Sequence, residues 1–340
     1  MQGGRKPIVV VRDGLHHDPG ALRGAVVAIG NFEGVHRGHR VVIDKAVGLA
    51  RSLGRPAAVL TFEPHPRAYF RPDEPVFRLS DECAKVRLLA ATELDGAIIL
   101  RFDQELAELS AQDFVDRVLN KQLAISGAVI GFDFHFGKGR TGTPEFLIAQ
   151  GAQRGFAVDV VPEVKDLGAL AAGEAGARRF SSGAVRAALA AGDVADAAEL
   201  LGYPWFVSGT VRRGDARGRE LGFPTANLRL DAGCQLRHGI YAVRVGVGER
   251  RYGGVASFGR RPTFGNGAVL LEVFLFDFSG DLYGQSIDVA FIGWIRPELK
   301  FDSVADLIKR MNEDAREARA ILAAAGDVFP PLTGMSDRRV

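Results

Sequence analysis

The sequence is poor in the features that define several common classes of protein. It contains only two cysteines, Cys83 and Cys234, which lie far apart in a chain of 340 residues. This usage suits a reducing cytosol and offers neither a disulfide framework nor a cysteine metal site. No signal peptide is evident at the N-terminus, and no apolar run approaches the roughly 20 residues needed to span a bilayer. We therefore expect a cytoplasmic protein that does not enter a membrane.

The chain also lacks an excess of charge of either sign. It has 43 Lys and Arg residues against 41 Asp and Glu residues, a formal net charge of +2. This balance gives no electrostatic reason to expect a nucleic-acid or membrane partner. The composition is 47% hydrophobic and 25% charged, as is usual for a soluble globular protein with sizeable cores. The length favours two domains.

The first dense motif, Gly-Asn-Phe-Glu-Gly-Val-His-Arg-Gly-His, occupies residues 30–39. An apolar, β-branched run precedes it and apolar positions at helical spacing follow it, so it is predicted to connect a buried parallel strand to a helix. Such turns lie at the edge of an open α/β sheet where ligands bind. The glycines permit close approach of a ligand, and the helix N-terminus attracts an anion. His36 and His39, three residues apart, would then reach the same phosphate.

This motif differs from two familiar phosphate-binding patterns. It lacks the Gly-Lys-Ser/Thr ending of a Walker A loop and the G-x-G-x-x-G spacing of the dinucleotide fingerprint. A tight turn carrying two solvated histidines is the plain alternative to a phosphate site.

The first half of the chain alternates between strand and helix patterns. Strands are predicted over residues 8–11, 57–62, 97–100, 128–130 and 157–161, the first of them at an edge. Helical patterns fall over residues 82–89, 111–119 and 145–153. The alternation predicts βαβ units and a mostly parallel, doubly wound sheet. Residues 163–179, rich in Gly and Ala, are predicted to form a mobile loop ahead of a helix with a serine cap near Ser181.

The pattern changes after Gly202-Tyr203-Pro204. Short strands separated by turns are predicted over residues 206–211, 240–247, 252–256, 270–276 and 287–291. One amphipathic helix follows, marked by apolar residues from Val304 to Ala315. These elements predict an antiparallel β-barrel closed by a helix. The predicted domains are residues 1–202 and 203–326, followed by a tail at 327–340.

Histidines are concentrated in the loops that follow predicted parallel strands. Four of the seven fall in three such loops: His36, His39, His65 and His135. These loops converge on one edge of a parallel sheet. Cationic and aromatic residues are expected at the same edge: Arg67, Lys138, Arg140, Arg186, Phe62, Phe132, Phe134 and Phe136. A shared site for phosphates and a planar ring system would explain both sets, and ordinary core packing is the alternative for the aromatic side chains.

The second half has its own motif at residues 209–227, with four glycines and four arginines. This composition suits a phosphate-binding flap. Thr225 and Asn227 would lie on the same side of an extended chain and offer hard oxygen ligands for Mg²⁺ held with nucleotide phosphates. A plain turn between strands is an equal alternative. Glu272 lies in an otherwise apolar strand, where it would either act as a general base or face solvent.

Taken together, these motifs resemble the prokaryotic bifunctional riboflavin kinases/FMN adenylyltransferases, also called FAD synthetases. The resemblance runs in order from Gly30 to about Ala320. In the first half it rests on residues 30–39, 61–66, 131–142 and 181–186. In the second half it rests on residues 209–227, 255–264, 272, 281–284 and 296–301.

The resemblance implies an α/β fold, with a Rossmann-like nucleotidylyltransferase domain followed by a flavokinase antiparallel β-barrel and a C-terminal helix. The barrel domain would phosphorylate riboflavin to FMN, and the first domain would adenylylate FMN to FAD with release of pyrophosphate. ATP would be the co-substrate and Mg²⁺ the cofactor. We expect small-molecule partners only, and a monomer or weak homo-oligomer.

The resemblance also implies roles for individual residues. ATP and its phosphates in the first domain would be bound by Gly30, Asn31, Phe32, Gly34, His36, His39, Arg67, Asp133, Arg140, Ser181, Ser182 and Arg186. His36 and His39 would be catalytic, and Phe62 and Phe136 would lie near the flavin. The kinase nucleotide would be bound by Gly214, Gly218, Arg219, Gly222, Phe223, Pro224, Thr225 and Asn227. Thr225 and Asn227 would bind Mg²⁺, and Glu272 would be the catalytic base.

Four positions depart from the family pattern. Glu33 stands where Asp is usual, and Gly183 stands where Ser or Thr is usual. Ser257 stands where Asn is usual, and Phe274 stands where His is usual. The 163–179 loop is also longer than expected. None of these departures removes a residue assigned to bond making.

Two other functions are compatible with parts of the sequence. The first domain alone would suit transfer of a nucleotidyl group to another phosphate ester, but the second motif and Glu272 argue against it. A flavin-binding regulator with degenerate catalysis is the other, and the intact His36, His39, Thr225, Asn227 and Glu272 argue against that.

Overall fold

The computed structural model describes residues 7–13, 15–74, 76–164, 179–213, 223–260 and 269–332. The chain divides into two compact units, the first comprising Met1–Pro75, Ser80–Ser181 and Pro331–Val340, the second Val76–Leu79 and Ser182–Pro330. The predictions made for most of the 163–179 loop, for part of the 255–264 segment, for the end of the tail and for four flap residues lie outside the described residues. Those four are Gly214, Gly218, Arg219 and Gly222.

A six-stranded sheet forms the centre of the first unit. Its strands are β1 (Val9–Arg12), β2 (Val26–Ile29), β3 (Ala57–Glu63), β4 (Gly96–Arg101), β5 (Gly127–Gly131) and β6 (Ala157–Val161). All neighbouring strands are parallel, in the order β1-β4-β3-β2-β5-β6. The expected doubly wound sheet is confirmed. The strand order reverses beside β2, which is the point where ligands bind in such sheets.

Helices cover this sheet. They are α1 (Arg37–Leu53), α2 (Pro66–Phe70), α3 (Glu82–Ala90), α4 (Gln104–Glu108), α5 (Ala111–Asp113) and α6 (Pro144–Arg154). Short 3-10 turns occur at Gly20–Leu22, Glu33–Val35 and Lys138–Arg140. The segment predicted as a helix over 111–119 begins as α5 but continues as a π-helix over Phe114–Gln122.

The helix that follows the first motif shows why this sequence folds as it does. α1 buries Val42, Ile43, Ala46, Val47 and Ala50 on one face, because apolar residues recur at the spacing of a helical turn. It ends at Gly54, whose φ of 62° lies in the left-handed region that glycine tolerates best. The face buried by α1 fixes its N-terminus at the carboxyl end of β2.

The second unit begins with two helices, α7 (Ser182–Ala191) and α8 (Val194–Leu201). Six antiparallel strands follow: β7 (Phe206–Thr210), β8 (Thr225–Arg229), β9 (Gly239–Val247), β10 (Arg250–Arg260), β11 (Val269–Leu275) and β12 (Ser286–Arg296). Their order is β7-β12-β9-β10-β11-β8. A bridge between Arg212 and Asn227 brings the two ends of the sheet together, so the expected barrel is confirmed as nearly closed.

The C-terminal helix α9 (Val304–Ala325) packs on the barrel. Ala318 and Leu322 of α9 are buried in one cluster with Ala242 and Phe276. The small side chain of Ala318 allows the helix to approach the strands closely. This helix extends ten residues beyond the amphipathic pattern that predicted it.

Candidate active sites

The turn after β2 is built from backbone conformations that few residues adopt. Phe32, Gly34 and Val35 all have positive φ values, of 46°, 70° and 38°. The turn ends at His36, which caps α1: its Nδ1 accepts a hydrogen bond from the backbone N–H of His39 at 3.2 Å. Because Nδ1 is an acceptor, the proton of a neutral His36 ring lies on Nε2.

The two histidines of the motif are stacked. Their ring centroids are 3.6 Å apart with an interplanar angle of 17°, and Phe32 meets His39 edge-on at 5.2 Å. Gly38 makes this arrangement possible. A Cβ at that position would lie 3.1 Å from the carbonyl oxygen of Phe180 and 3.2 Å from the His36 ring, both unusually close. The packing therefore favours glycine in the His-x-Gly-His spacing.

The ring of His39 has an unusual electrostatic environment. Burial, followed by the charges of His36 and Lys85, holds the pKa of His39 well below its ordinary value of 6.5. Its Nδ1 is buried and has no hydrogen-bond partner among the described residues. The imidazole is therefore neutral at pH 7, and a negative charge placed beside it would favour its protonation.

Acidic and basic side chains support the turn. Lys85 of α3 is 1% exposed, and its Nζ lies 2.7 Å from Oε1 of Glu63. Glu33 is also buried, with Oε2 3.8 Å from Nε2 of His65. Ser80, just before α3, accepts a hydrogen bond from the Gly34 N–H at 3.1 Å through its Oγ. Sequence reasoning identified the histidines but missed Lys85 and Glu63.

Other predicted residues of this unit follow the carboxyl ends of neighbouring strands. After β3, His65 caps α2 by accepting a hydrogen bond from the Arg67 N–H, and the Arg67 side chain is exposed, 3.6 Å from Glu74. After β5, Asp133 forms an ion pair with Arg179, and Arg140 is exposed with a φ of 58°.

The two phenylalanines expected at the flavin are core residues in this structure. Phe62 and Phe136 are 9% and 7% exposed and belong to the main apolar cluster of the first unit. Phe136 stacks on Phe134 at 5.5 Å, whereas Phe132 is 41% exposed and lies under the guanidinium of Arg179, 5.0 Å from the ring centroid.

The residues expected to contact ATP are divided between the two units. Ser182 and Arg186 lie on α7 of the second unit. All the others belong to the first unit, including Gly30, Asn31, Phe32, Gly34 and Ser181. The Nε of Arg186 donates to the carbonyl oxygen of Phe77 at 2.7 Å, within that second unit. A hydrogen bond to the backbone of Phe77 therefore holds the Arg186 side chain, and the sequence spacing did not reveal this contact.

A row of polar residues crosses three strands of the barrel. In register, Asn227 of β8 lies opposite Glu272 of β11, which lies opposite Ser257 of β10. Directly opposed residues present their side chains on the same face of a sheet. Asn227 is 7% exposed and Glu272 is partly buried. This register supports a site at Glu272 over an isolated solvated carboxylate.

The residues before Asn227 are held by two kinds of contact. The Nδ2 of Asn227 donates to the carbonyl oxygen of Thr225 at 3.2 Å. Phe223 packs edge-on against Phe274 at 5.0 Å, and Phe274 lies opposite Thr225 in the strand register. The departure at Phe274 therefore contributes an aromatic contact to the start of β8, while Pro224 is exposed.

Two further contacts in this unit were not foreseen. Arg213 lies over the ring of Tyr283 at 5.5 Å. Arg296 forms a buried bidentate ion pair with Asp314, with Nε–Oδ1 and Nη2–Oδ2 distances of 2.8 and 2.6 Å. This pair fixes α9 to the end of β12. In both contacts the two partners lie apart in the sequence, so only the fold shows that they meet.

The class of protein follows from these two sites. A stacked histidine pair at the N-terminus of a helix, beside the switch point of a parallel sheet, is suited to phosphate chemistry. In a separate barrel, a carboxylate aligned with an asparagine, with a threonine two residues before that asparagine, is suited to a second phosphoryl transfer. The chain is thus a two-domain enzyme of phosphoryl-type transfer.

Comparison with known proteins identifies the family. Residues 18–171 match the FAD synthetase family model and residues 201–322 match the riboflavin kinase model. A bifunctional riboflavin kinase/FMN adenylyltransferase of Pseudomonas fluorescens is 40% identical over 312 residues, covering 91% of this chain and 97% of that protein. The Escherichia coli (strain K12) protein of the same name is 39% identical over 90% of this chain and 96% of its own. This chain belongs to the bifunctional riboflavin kinase/FMN adenylyltransferase family.

A solved structure agrees on the fold. A crystal structure from Streptococcus pneumoniae, whose title names a macrolide-efflux protein, matches with a TM-score of 0.79 and 31% identity, covering 92% of this chain and 99% of that one. In the part of the chain that the structure describes, no helix is both long and apolar enough to cross a membrane.

The family fixes the activity. The enzyme phosphorylates riboflavin to FMN and adenylylates FMN to FAD, so ATP, riboflavin, FMN and FAD are its substrates and products. The two family models follow each other along the chain in the order expected from the sequence.

Proposed function

We propose that the turn at residues 30–39 binds the ATP phosphates during FMN adenylylation, with His36 and His39 as the catalytic groups. The observation that carries this proposal is the stacked pair at the N-terminus of α1, where backbone N–H groups and the helix dipole also favour an anion. Gly30, Asn31, Phe32 and Gly34 would let the nucleotide approach the backbone.

The chemistry of this site is transfer without a general base. An oxygen of the FMN phosphate attacks the α-phosphorus of ATP, and the bond to the pyrophosphate oxygen breaks. The attacking oxygen is already anionic, so no proton need be removed. His36 and His39 stabilise the negative charge that develops on the transferred group and on pyrophosphate.

The remaining ATP and flavin residues of this site are also proposals. Cationic and polar contacts to ATP are assigned to Arg67, Asp133, Arg140, Ser181, Ser182 and Arg186, and contacts to the flavin are assigned to Phe62 and Phe136. For Arg67, Asp133 and Arg140 the support is that they follow β3 and β5, the two neighbours of β2.

In the barrel, we assign proton abstraction to Glu272. As the ribityl 5′-hydroxyl of riboflavin attacks the γ-phosphorus of ATP and ADP departs, a carboxylate oxygen of Glu272 accepts the hydroxyl proton. The alignment of Glu272 with Asn227 across two strands supports this role. Phe223 and Pro224, next to Thr225, would contact the same nucleotide, as would Gly214, Gly218, Arg219 and Gly222, which lie outside the described ranges.

The oxygen donors of Thr225 and Asn227 fit Mg²⁺. The Thr225 hydroxyl and the Asn227 amide oxygen are hard oxygen donors, and the hydrogen bond from Asn227 Nδ2 to Thr225 leaves Oδ1 as the atom for a ligand. Thr225 and Asn227 would hold the ion with the nucleotide. When bound, Mg²⁺ would neutralise charge on the ATP phosphates.

We place the two reactions in domains 1–202 and 203–326, with residues 327–340 as a tail. The family matches at 18–171 and 201–322 support this division. We further propose a cytoplasmic enzyme, monomeric or weakly self-associating, without a nucleic-acid partner, as the balanced charge suggests.

The double variant His36→Ala/His39→Ala tests the adenylylation site. Loss of two groups that stabilise developing charge should slow FAD formation from supplied FMN on the order of 10²-fold. Riboflavin phosphorylation in the same preparation should keep its wild-type rate, and circular dichroism and thermal unfolding of the variant are the control for folding of the mutated unit. FAD formation at the wild-type rate would show that the site lies elsewhere.

A further inference from the structure

The end of β12 lies in line with the polar row of the barrel. Arg296, its last residue, is aligned through β9 with Ser257 of β10, so it stands in the same row as Glu272. The buried ion pair with Asp314 fixes the Arg296 side chain, and its Nη1 donates to the carbonyl oxygen of Pro297 at 2.9 Å. The segment that leaves β12 therefore starts from a fixed point beside this row.

Two residues further on, the carboxylate of Glu298 rests against β10. A Cβ at Gly259 would lie 2.3 Å from Oε1 and 2.8 Å from Oε2 of Glu298, distances that a real Cβ does not show. Glycine at this position therefore leaves the space to the carboxylate. The Glu298 side chain is exposed and, within the described part of the chain, forms no hydrogen bond or ion pair. Its oxygens are available to a ligand.

This carboxylate lies on the face of the sheet that carries Glu272. Ser257 and Gly259 are two residues apart on β10, so side chains at both positions would point to the same face. Ser257 is the direct partner of Glu272, which makes Gly259 its diagonal neighbour, and such positions lie roughly 7–8 Å apart. Glu298 thus places a second carboxylate beside the proposed base.

The order of the strands indicates which substrate would meet Glu298. Thr225 and Asn227, proposed to hold the nucleotide, lie on β8, on one side of β11, and β10 lies on the other side. In phosphoryl transfer the attacking and leaving oxygens are roughly in line with the phosphorus. The acceptor therefore approaches Glu272 from the side away from the nucleotide, which is the side of Ser257 and Glu298.

We propose that Glu298 binds the ribityl chain of riboflavin, with its carboxylate oxygens accepting hydrogen bonds from the secondary hydroxyl groups. This inference rests on the proposed role of Glu272, because the primary 5′-hydroxyl must reach that residue. An ionised carboxylate is an acceptor only and suits hydroxyl donors. The ribityl chain is uncharged, so a second carboxylate does not repel it as it would repel a phosphate. Holding the chain at a second point places the 5′-hydroxyl at Glu272.

Flavins that lack single ribityl hydroxyls test this contact in the full chain. Glu298→Ala should lower kcat/KM for riboflavin roughly 10- to 10²-fold, the effect of losing one hydrogen bond to a charged group, while the KM for ATP stays unchanged. The variant and the wild type are then compared on 2′-, 3′- and 4′-deoxyriboflavin. With the flavin that lacks the contacted hydroxyl, the substitution should lose most of its effect, because the partner is already absent.

Gly259→Ala displaces the carboxylate without removing it. The atoms that the new methyl group meets are the end of a flexible side chain, so the strand can stay in place while the carboxylate moves. This variant should show the same pattern with the deoxyflavins. Glu249→Gln, in the exposed turn at the other end of β10, is the matched control and should leave riboflavin kinetics unchanged. Circular dichroism and thermal unfolding establish that each variant is folded.

An equal fall in kcat/KM for riboflavin and all three deoxyflavins in folded Glu298→Ala would overturn the proposal, as would unchanged riboflavin kinetics. A raised KM for ATP would assign Glu298 to the nucleotide and would contradict it equally. Failure of the proposed base is a separate result, because it appears as full kinase turnover in Glu272→Gln.

Discussion

Glu272 occupies a strand whose alternation alone would place it on a solvated face. Leu271 and Val273 on either side of it are fully buried, so the sequence indicates only that Glu272 points away from them. Pairing with Asn227 on one side and Ser257 on the other places three polar groups in a row. The sequence could not predict that row, because the three residues lie on separate strands and depend on register.

Glu272→Gln tests the role of this carboxylate. The amide keeps the shape of the side chain but cannot accept the hydroxyl proton at neutral pH, so riboflavin phosphorylation should fall roughly 10²- to 10⁴-fold. The free energy of unfolding should change by no more than about 0.5 kcal/mol. Supplied FMN should still become FAD. Full kinase turnover in the folded variant would leave the reaction without the base assigned here.

Among elements, α1 was predicted well and β8 was not. The apolar spacing of α1 and the glycines around its start were sufficient to place a strand-to-helix turn at residues 30–39. β8 (Thr225–Arg229) alternates polar and apolar residues, but it is only five residues long and directly follows a proline and a glycine-rich segment, so it was not predicted as a strand. Lys85 was missed because a lysine within a helical pattern is usually solvated, and only packing shows it buried.

Gly38→Ala tests the close packing at the start of α1. The added methyl group would meet the Phe180 carbonyl oxygen and the His36 ring. Displacement of the ring should slow FAD formation by on the order of 10- to 10²-fold, since small misplacements of catalytic groups have effects of that size. Steady-state rates with FMN and ATP measure the loss.

Gly48→Ala is the matched control on the same helix. A Cβ at Gly48 meets nothing within 4 Å, so this change should leave FAD formation intact. It should raise the free energy of unfolding by up to about 1 kcal/mol, the difference in helix propensity between glycine and alanine. Equal losses of activity in both variants would mean that the contact at Gly38 has no special role.

At the scale of the whole molecule, the two family models match different stretches of the chain, residues 18–171 and 201–322. The family resemblance predicted both units and their order along the chain. It could not supply the contacts within each unit, such as Arg296 with Asp314, because these join residues distant in sequence.

Mixing two inactive variants tests whether the activities are separable. Glu272→Gln should make FMN very slowly and His36→Ala/His39→Ala should adenylylate it very slowly, so each alone should convert riboflavin to FAD roughly 10²-fold or more below the wild-type rate. Together they should form FAD after a lag during which FMN accumulates, which chromatography of the flavins would follow. No FAD from the mixture, although each variant retains its other activity, would show that FMN must stay on one chain.

The polar row of the barrel has a consequence for how this unit acquires its structure. Side chains alternate between the two faces of a strand, so pairing β11 one residue out of register would transfer Glu272 to the apolar interior and present Leu271 or Val273 beside Asn227. Such a misfolded barrel could retain most of its strand content, yet it would lack kinase activity. Recovery of riboflavin phosphorylation after denaturation therefore counts the chains that have regained the native register, which spectroscopic measures of sheet content do not distinguish.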